Sequence, residues 1–165
     1  KDKIMRLIQI VPVIGLCAAS LIPASVAAEN QYQPFVNKGS KLCLDATDKR
    51  DSAFVQQSKC NSKLDGQKWQ LVDKGHGSYW IKNKWTGTCL DIYTDHQGET
   101  PWLNTVTTSK CEDWKKNQEW EKLGKNRIRN AHTNQCLVAP GTLNFGPVKA
   151  VACKKGPYFQ WDKKK

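Results

Sequence analysis

The sequence predicts an all-β fold in which three copies of one unit share a core around a pseudo-threefold axis. Three observations carry that expectation. A motif of fixed spacing occurs three times, and each copy holds its own two cysteines. The apolar stretches are short, with Gly, Asn, Asp, Ser and Lys between them about every 8–12 residues, which is the rhythm of strands and turns.

The motif is read from Cys43, Cys89 and Cys136, which lie 46 and 47 residues apart. Leu44, Leu90 and Leu137 follow them directly. Asn37, Asn83 and Asn130 stand six residues before, and Phe35, Ile81 and Ile128 eight before. A second cysteine closes each copy (Cys60, Cys111, Cys153), and a tryptophan follows eight or nine residues later (Trp69, Trp120, Trp161). Two tryptophans sit in Gln-x-Trp, as Gln67-Lys68-Trp69 and Gln118-Glu119-Trp120. The third copy reads Phe159-Gln160-Trp161, a degenerate version.

In the first copy, strands are expected at Pro34–Asn37, Leu42–Asp45, Phe54–Ser58 and Trp69–Val72. In the second they fall at Tyr79–Asn83, Thr88–Tyr93, Asn104–Thr107 and Trp120–Leu123. In the third they fall at Arg127–Asn130, Gln135–Val138, Val148–Ala152 and Phe159–Trp161. No long stretch has apolar residues at helical spacing. Single helical turns are expected near Asp65–Gln67 and Lys115–Asn117.

Four short strands cannot bury an apolar face alone, so the copies must share one. The recurring Phe35, Ile81, Ile128, the three leucines and the three tryptophans are its expected members. A tryptophan buries about 150–250 Å², so the three would dominate that core. The three asparagines are expected to form turns by bonding nearby backbone, and Gln67 and Gln118 to bond the backbone of their own repeat.

Residues 1–28 are expected to be a cleaved signal peptide and 29–165 the domain. Lys1, Lys3 and Arg6 precede an apolar stretch from Leu7 to Leu21, and Val26-Ala27-Ala28 offers small residues for cleavage. The stretch has 15 residues, short of the ~20 that span a bilayer, so no stable membrane anchor is expected. Without Cys17, six cysteines remain, and six allow 15 pairings. The repeat selects Cys43–Cys60, Cys89–Cys111 and Cys136–Cys153, each bridge worth about 3 kcal/mol in the chain-entropy model. Disulfides imply an oxidising compartment, extracellular or periplasmic.

The chain carries 26 Lys and Arg against 15 Asp and Glu, a net charge of +11. That excess favours anionic partners by long-range attraction. The cations are scattered, with short clusters at Lys115-Lys116, Lys154-Lys155 and Lys163–Lys165. No nucleic-acid motif is present, so nucleic acid is not the expected partner. No Cys-x2-4-Cys pair exists, and His76, His96 and His132 lack ligand spacing, so no metal is expected. No nucleophile–base spacing stands out, every cysteine of the domain has a structural use, and neither an enzyme nor a cofactor is expected.

Cys-Leu-Asp in two copies, Cys-Leu in the third, a second cysteine and then Gln-x-Trp resemble the ricin-type lectin family. These are the β-trefoils of toxin B-chains and of carbohydrate-binding modules. The resemblance spans residues 32–162. It implies a β-trefoil with shallow pockets for galactose-type sugars, at most one per repeat. In the family's pattern the aspartate after Cys-Leu accepts hydrogen bonds from sugar hydroxyls. A polar residue four before the second cysteine and an aromatic two before it complete the floor, and an Asn-Gln pair at Gln-x-Trp adds amide contacts.

Carried over by position, the first repeat keeps Asp45, Gln56 and Gln67. It has Ser58 at the aromatic position and Gly66 where Asn is usual. The second keeps Asp91 and the full Asn117-Gln118, with Thr107 at the polar position and Ser109 at the aromatic one. The third has Val138, Lys149 and Val151, which implies a dead site. The second repeat is longer between Asp91 and Cys111, and its extra residues bring Trp102, which stands as a substitute stacking platform or as packing on the domain flank. Tyr93 is a further ring nearby. Asp45 and Asp91 read either as sugar ligands or as caps of local turns.

The resemblance therefore implies a secreted glycan-binding module working mainly through the second repeat. The alternative is a degenerate trefoil that binds a protein partner, like the cell-binding subunits of cytolethal distending toxins. A third reading is electrostatic binding to an anionic cell-surface polymer.

Overall fold

The computed structural model describes residues 31–93 and 104–164. The expected signal peptide lies outside the described residues, and so does Trp102. The first repeat contributes β1 (Gln33–Asn37), β2 (Cys43–Ala46), β3 (Ala53–Ser58) and β4 (Lys68–Gly75). The second contributes β5 (Ser78–Asn83), β6 (Cys89–Ile92), β7 (Val106–Ser109) and β8 (Trp120–Leu123). The third contributes β9 (Arg127–Asn130), β10 (Gln135–Val138), β11 (Gly146–Pro147), β12 (Lys149–Ala152) and β13 (Trp161–Lys163). A 3-10 turn precedes the tryptophan strand of every copy, at Asp65–Gln67, Lys116–Gln118 and Pro157–Phe159.

Two elements differ from expectation. The last strand begins at Trp161, not Phe159, because the third copy keeps the 3-10 turn of the other two, with Pro157 at its start. Proline presets φ for that position. The expected Val148–Ala152 strand is found as β12, paired with β10, and a short strand that was not expected, β11, precedes it and pairs with β3.

Strands β13, β1, β4, β5, β8 and β9 pair antiparallel in that order. A bridge between Arg127 and Gln160 closes the ring into a barrel. The hairpins β2–β3, β6–β7 and β10–β12 form the second layer. They join one another through β3–β7, β3–β11 and the Thr105–Lys149 bridge. The fold is a β-trefoil, and each repeat carries its own disulfide: Cys43–Cys60, Cys89–Cys111 and Cys136–Cys153.

Phe35, Ile81 and Ile128, the leucines Leu44, Leu90 and Leu137, and the tryptophans Trp69, Trp120 and Trp161 all belong to one buried cluster. Each tryptophan also needs an acceptor for its indole N–H once buried. Trp69 donates to the Leu44 carbonyl at 2.9 Å, Trp120 to Leu90 at 2.9 Å and Trp161 to Leu137 at 3.1 Å. The recurring Cys-Leu therefore supplies both a core side chain and the acceptor for its own repeat's tryptophan.

The asparagine trio forms turns, as expected, and does one thing more. Each Oδ1 accepts from the two N–H groups that follow: Gly39 and Ser40, Trp85 and Thr86, His132 and Thr133. Each Nδ2 donates to the 3-10 turn of the preceding copy. Asn37 reaches the Tyr158 carbonyl, Asn83 that of Gly66 and Asn130 that of Asn117, all at 2.8 Å. These bonds stitch the repeats together and set each asparagine turn beside its neighbour's pocket.

Candidate functional site

The three equivalent places each lie between a β2-type hairpin, the 3-10 turn of the same repeat and the asparagine turn of the next. Register fixes the facing residues. Asp45 lies opposite Gln56, Asp91 opposite Thr107 and Val138 opposite Lys149.

In the first repeat, Ser58 Oγ donates to Asp45 Oδ2 at 2.5 Å, and Gln67 Nε2 reaches the same oxygen at 3.4 Å. Gln67 also donates to Ser58 Oγ and the Lys59 carbonyl, and accepts from the Asn61 N–H. Gln67 thus holds the backbone of its own repeat and is buried while doing so. Asp45 Oδ1 accepts no hydrogen bond among the described residues. It faces a cavity of about 450 Å³ shared with Gln56, Leu64, Gly66 and Trp85. Asp65, on the wall, is bonded by Lys68 and Lys84, which hold its carboxyl below the ordinary aspartate value.

The second repeat repeats that network and closes it. Ser109 Oγ and Gln118 Nε2 both donate to Asp91 Oδ2. Gln118 also bonds the Lys110 carbonyl and the Glu112 N–H. Asn117 Nδ2 donates to Asp91 Oδ1 and to the Ile92 carbonyl. Each carboxylate oxygen accepts at least one hydrogen bond from the protein, and Asp91 is 5% exposed. Burial pushes its carboxyl above the ordinary aspartate value, and the hydrogen bonds and Lys115 only partly offset that. Thr107, at the family's polar position, is buried as well. Tyr93 is half-buried, with its N–H on the Thr105 carbonyl.

In the third repeat Val138, Val151 and Phe159 stand where the others have Asp, Ser and Gln. All three members of the polar network are replaced together. Exchanging one alone would strand buried donors, whereas exchanging every partner for apolar groups leaves none unpaired.

The serines fill the family's stacking position from inside, bonded to the aspartates, so a ring for the first pocket must come from elsewhere. Trp85 supplies it, from the asparagine turn of the second repeat, two residues after Asn83. A Cβ on Gly66 would lie 3.5 Å from the Trp85 ring. At the third pocket the parts are exchanged. Gly39 stands two residues after Asn37, and a Cβ there would lie 2.5 Å from the ring of Tyr158, which occupies the Gly66 position. At the second pocket the corresponding pair is Asn117 and His132. Sequence reasoning missed Trp85 because the pocket crosses a repeat boundary. The signal was present as a tryptophan at the second position after the motif asparagine in one copy of three.

Residues 24–104 match the family model of the ricin-type beta-trefoil lectin domain-like group. Over those residues the chain is similar to that group, and its fold is the β-trefoil. Among solved structures, this domain is similar to the designed threefold-symmetric protein ThreeFoil, at 25% identity and a TM-score of 0.71, covering 81% of this chain and 98% of that one. It is similar to the Rhizoctonia solani agglutinin at 19% identity and a TM-score of 0.67, covering 82% and 94%. The cytolethal distending toxin of Actinobacillus actinomycetemcomitans aligns at 14% identity and a TM-score of 0.64, covering 81% and 87%. No curated protein matches the sequence.

Within this trefoil, the first pocket combines a carboxylate oxygen with open lone pairs, an amide from Gln56 and a partly exposed indole. Such a set accepts hydroxyl protons and covers a C–H face. The second pocket presents no open polar atom from Asp91. Among the described residues no three His, Cys, Asp or Glu side chains gather to hold a metal ion.

Proposed function

We propose that this chain is a secreted carbohydrate-binding module and that its principal pocket lies in the first repeat, where it takes a galactose-type sugar. The observation that carries this reading is Asp45 Oδ1, unpaired and facing the cavity beside Gln56 and Trp85. A sugar offers several hydroxyls and one flat C–H face. Asp45 and Gln56 bond the former, and Trp85, 43% exposed, stacks on the latter. The full Asn117-Gln118 of the second repeat favours that repeat by sequence. Its geometry favours the first, because Asn117 occupies the oxygen a sugar would use.

The three disulfides support export to an oxidising compartment. Titration of simple galactosides, followed by tryptophan fluorescence, tests the assignment. Saturable binding by wild type and its loss in Asp45→Ala are expected; a wild type that binds no galactoside and no glycan on an array sinks it.

The second reading is a trefoil that docks on a protein, as a toxin subunit does. It is favoured by the dead third pocket and by Leu143 and Phe145, both about two-thirds exposed on the loop that leads into β11. Pull-down from the native secretome with and without these two side chains separates it from the first.

A further inference from the structure

The first pocket has cations on and beside its wall that a neutral sugar would not use. Lys63 lines its wall, exposed, and forms no ion pair among the described residues. Lys49 holds its Nζ 5.5 Å from the centre of the Trp85 ring, within reach of a substituent on anything stacked there. Asp65 is bonded by two lysines at once, Lys68 at 2.7 Å and Lys84 at 3.1 Å. One carboxylate between two ammonium groups leaves a positive charge over. Asp48, close by in sequence to Lys49, is already paired with Arg50 at 2.6 Å. Lys63 thus lines the cavity, and Lys49, Lys68 and Lys84 reach two of its lining residues, Trp85 and Asp65, while the lining itself holds two carboxylates, Asp45 and Asp65.

The second repeat shows a different arrangement at the same place. Its turn lysines are matched one to one, Lys115 with Glu112 and Lys116 with Glu119, each at 2.9 Å. The unpaired Lys63 and the carboxylate held between two lysines belong to the pocket that also has the open aspartate.

We infer that the sugar taken by the first pocket carries an anionic group, a carboxylate or a sulfate. Its hydroxyls lie on Asp45 Oδ1 and Gln56, and its charge lies toward Lys63 and Lys49. The inference rests on the carbohydrate reading of this pocket and adds the class of sugar. Asp45 and Gln56 face each other across the β2–β3 hairpin, and Lys63 and Lys49 lie on the loops beside it, Lys63 exposed and Lys49 over the Trp85 ring. Cations at an exposed site act mainly by Coulomb attraction, which is modest and screened by salt.

The test uses three ligands on the same galactose frame: methyl galactoside, methyl galacturonide and galactose 6-sulfate. Each is titrated against wild type and a Lys49→Gln/Lys63→Gln double variant, at ionic strengths of about 0.01 M and about 0.15 M. Wild type should prefer an anionic ligand over the neutral one by about threefold to fivefold at the lower salt. The preference should shrink at the higher salt and in the double variant. The galacturonide and sulfate arms tell a carboxylate ligand from a sulfate ligand. Equal binding of neutral and anionic sugars by wild type overturns the inference while leaving the carbohydrate reading intact, as does a preference that survives in the double variant. Failure of all three ligands, with no glycan bound on an array, overturns both.

Discussion

The first and second pockets of this domain share Asp, Ser and Gln at the same three positions, joined by the same bonds, and differ at one decisive residue. Gly66 leaves Asp45 with an oxygen open to the cavity, whereas Asn117 donates to the corresponding oxygen of Asp91. The aspartate that looks like a sugar ligand in both is a structural acceptor in one and an available one in the other. The lesson is that a binding motif can be complete and still be saturated by its own members.

The largest expected effect tests that saturation. Asp91→Ala removes the acceptor of Ser109, Gln118 and Asn117 and should lower unfolding free energy by about 2–4 kcal/mol, because buried donors lose a charged partner. Asp45→Ala, at a half-buried site with two donors, should cost about 1 kcal/mol. Urea midpoints of the two variants measure the difference; equal losses would break the comparison.

Binding should show the reverse order. Asp45→Ala should weaken the sugar about 10-fold or more, the range of a charge-assisted hydrogen bond, while Asp91→Ala should leave first-pocket affinity within about twofold. Trp85→Ala should cost about as much as an aromatic contact contributes elsewhere, roughly threefold to tenfold.

A reciprocal exchange sharpens the contrast further. Gly66→Asn places a Cβ 3.1 Å from Asp45 Oδ1 and from the Ala46 carbonyl, a tight but tolerable fit, and brings an amide to the open oxygen. It should lower first-pocket affinity about 10-fold with only a small change in stability. Asn117→Gly frees Asp91 Oδ1 and should destabilise by about 1 kcal/mol.

The smallest effect is a pH dependence. The Asp91 carboxyl sits above its unfolded value, so between those two values the folded state binds the proton that the unfolded state has released. Stability from this group is therefore greatest below the unfolded value and falls as pH rises through the folded one. Urea unfolding across the acidic range should show that fall in wild type, and Asp91→Asn should lack it.

Much of this was legible in the residues. Three Cys-Leu copies and three tryptophans predicted the shared core, and the paired cysteines predicted bridges within repeats. Both follow from local spacing, since each bridge and each Trp–Leu bond lies inside one repeat. The turn at Pro157–Phe159 was not anticipated, because neither Tyr158 nor Phe159 resembles its counterparts in the other copies, although the backbone there is the same. Which aspartate keeps an oxygen without a hydrogen bond was not legible either. Asn117-Gln118 matches the family pattern better than Gly66-Gln67, and pattern alone favours the repeat that its own asparagine closes.

By itself the sequence determined a triplicated all-β unit, its disulfides and its core, because those depend on residue types at fixed intervals. Tertiary structure alone decided which carboxylate is free, and that the first pocket's ring comes from the second repeat. The physical reason is that each pocket lies across the seam between copies, where the motif asparagine brings one repeat's turn against the next. Whether a polar atom there meets a protein donor or solvent depends on residues far apart along the chain.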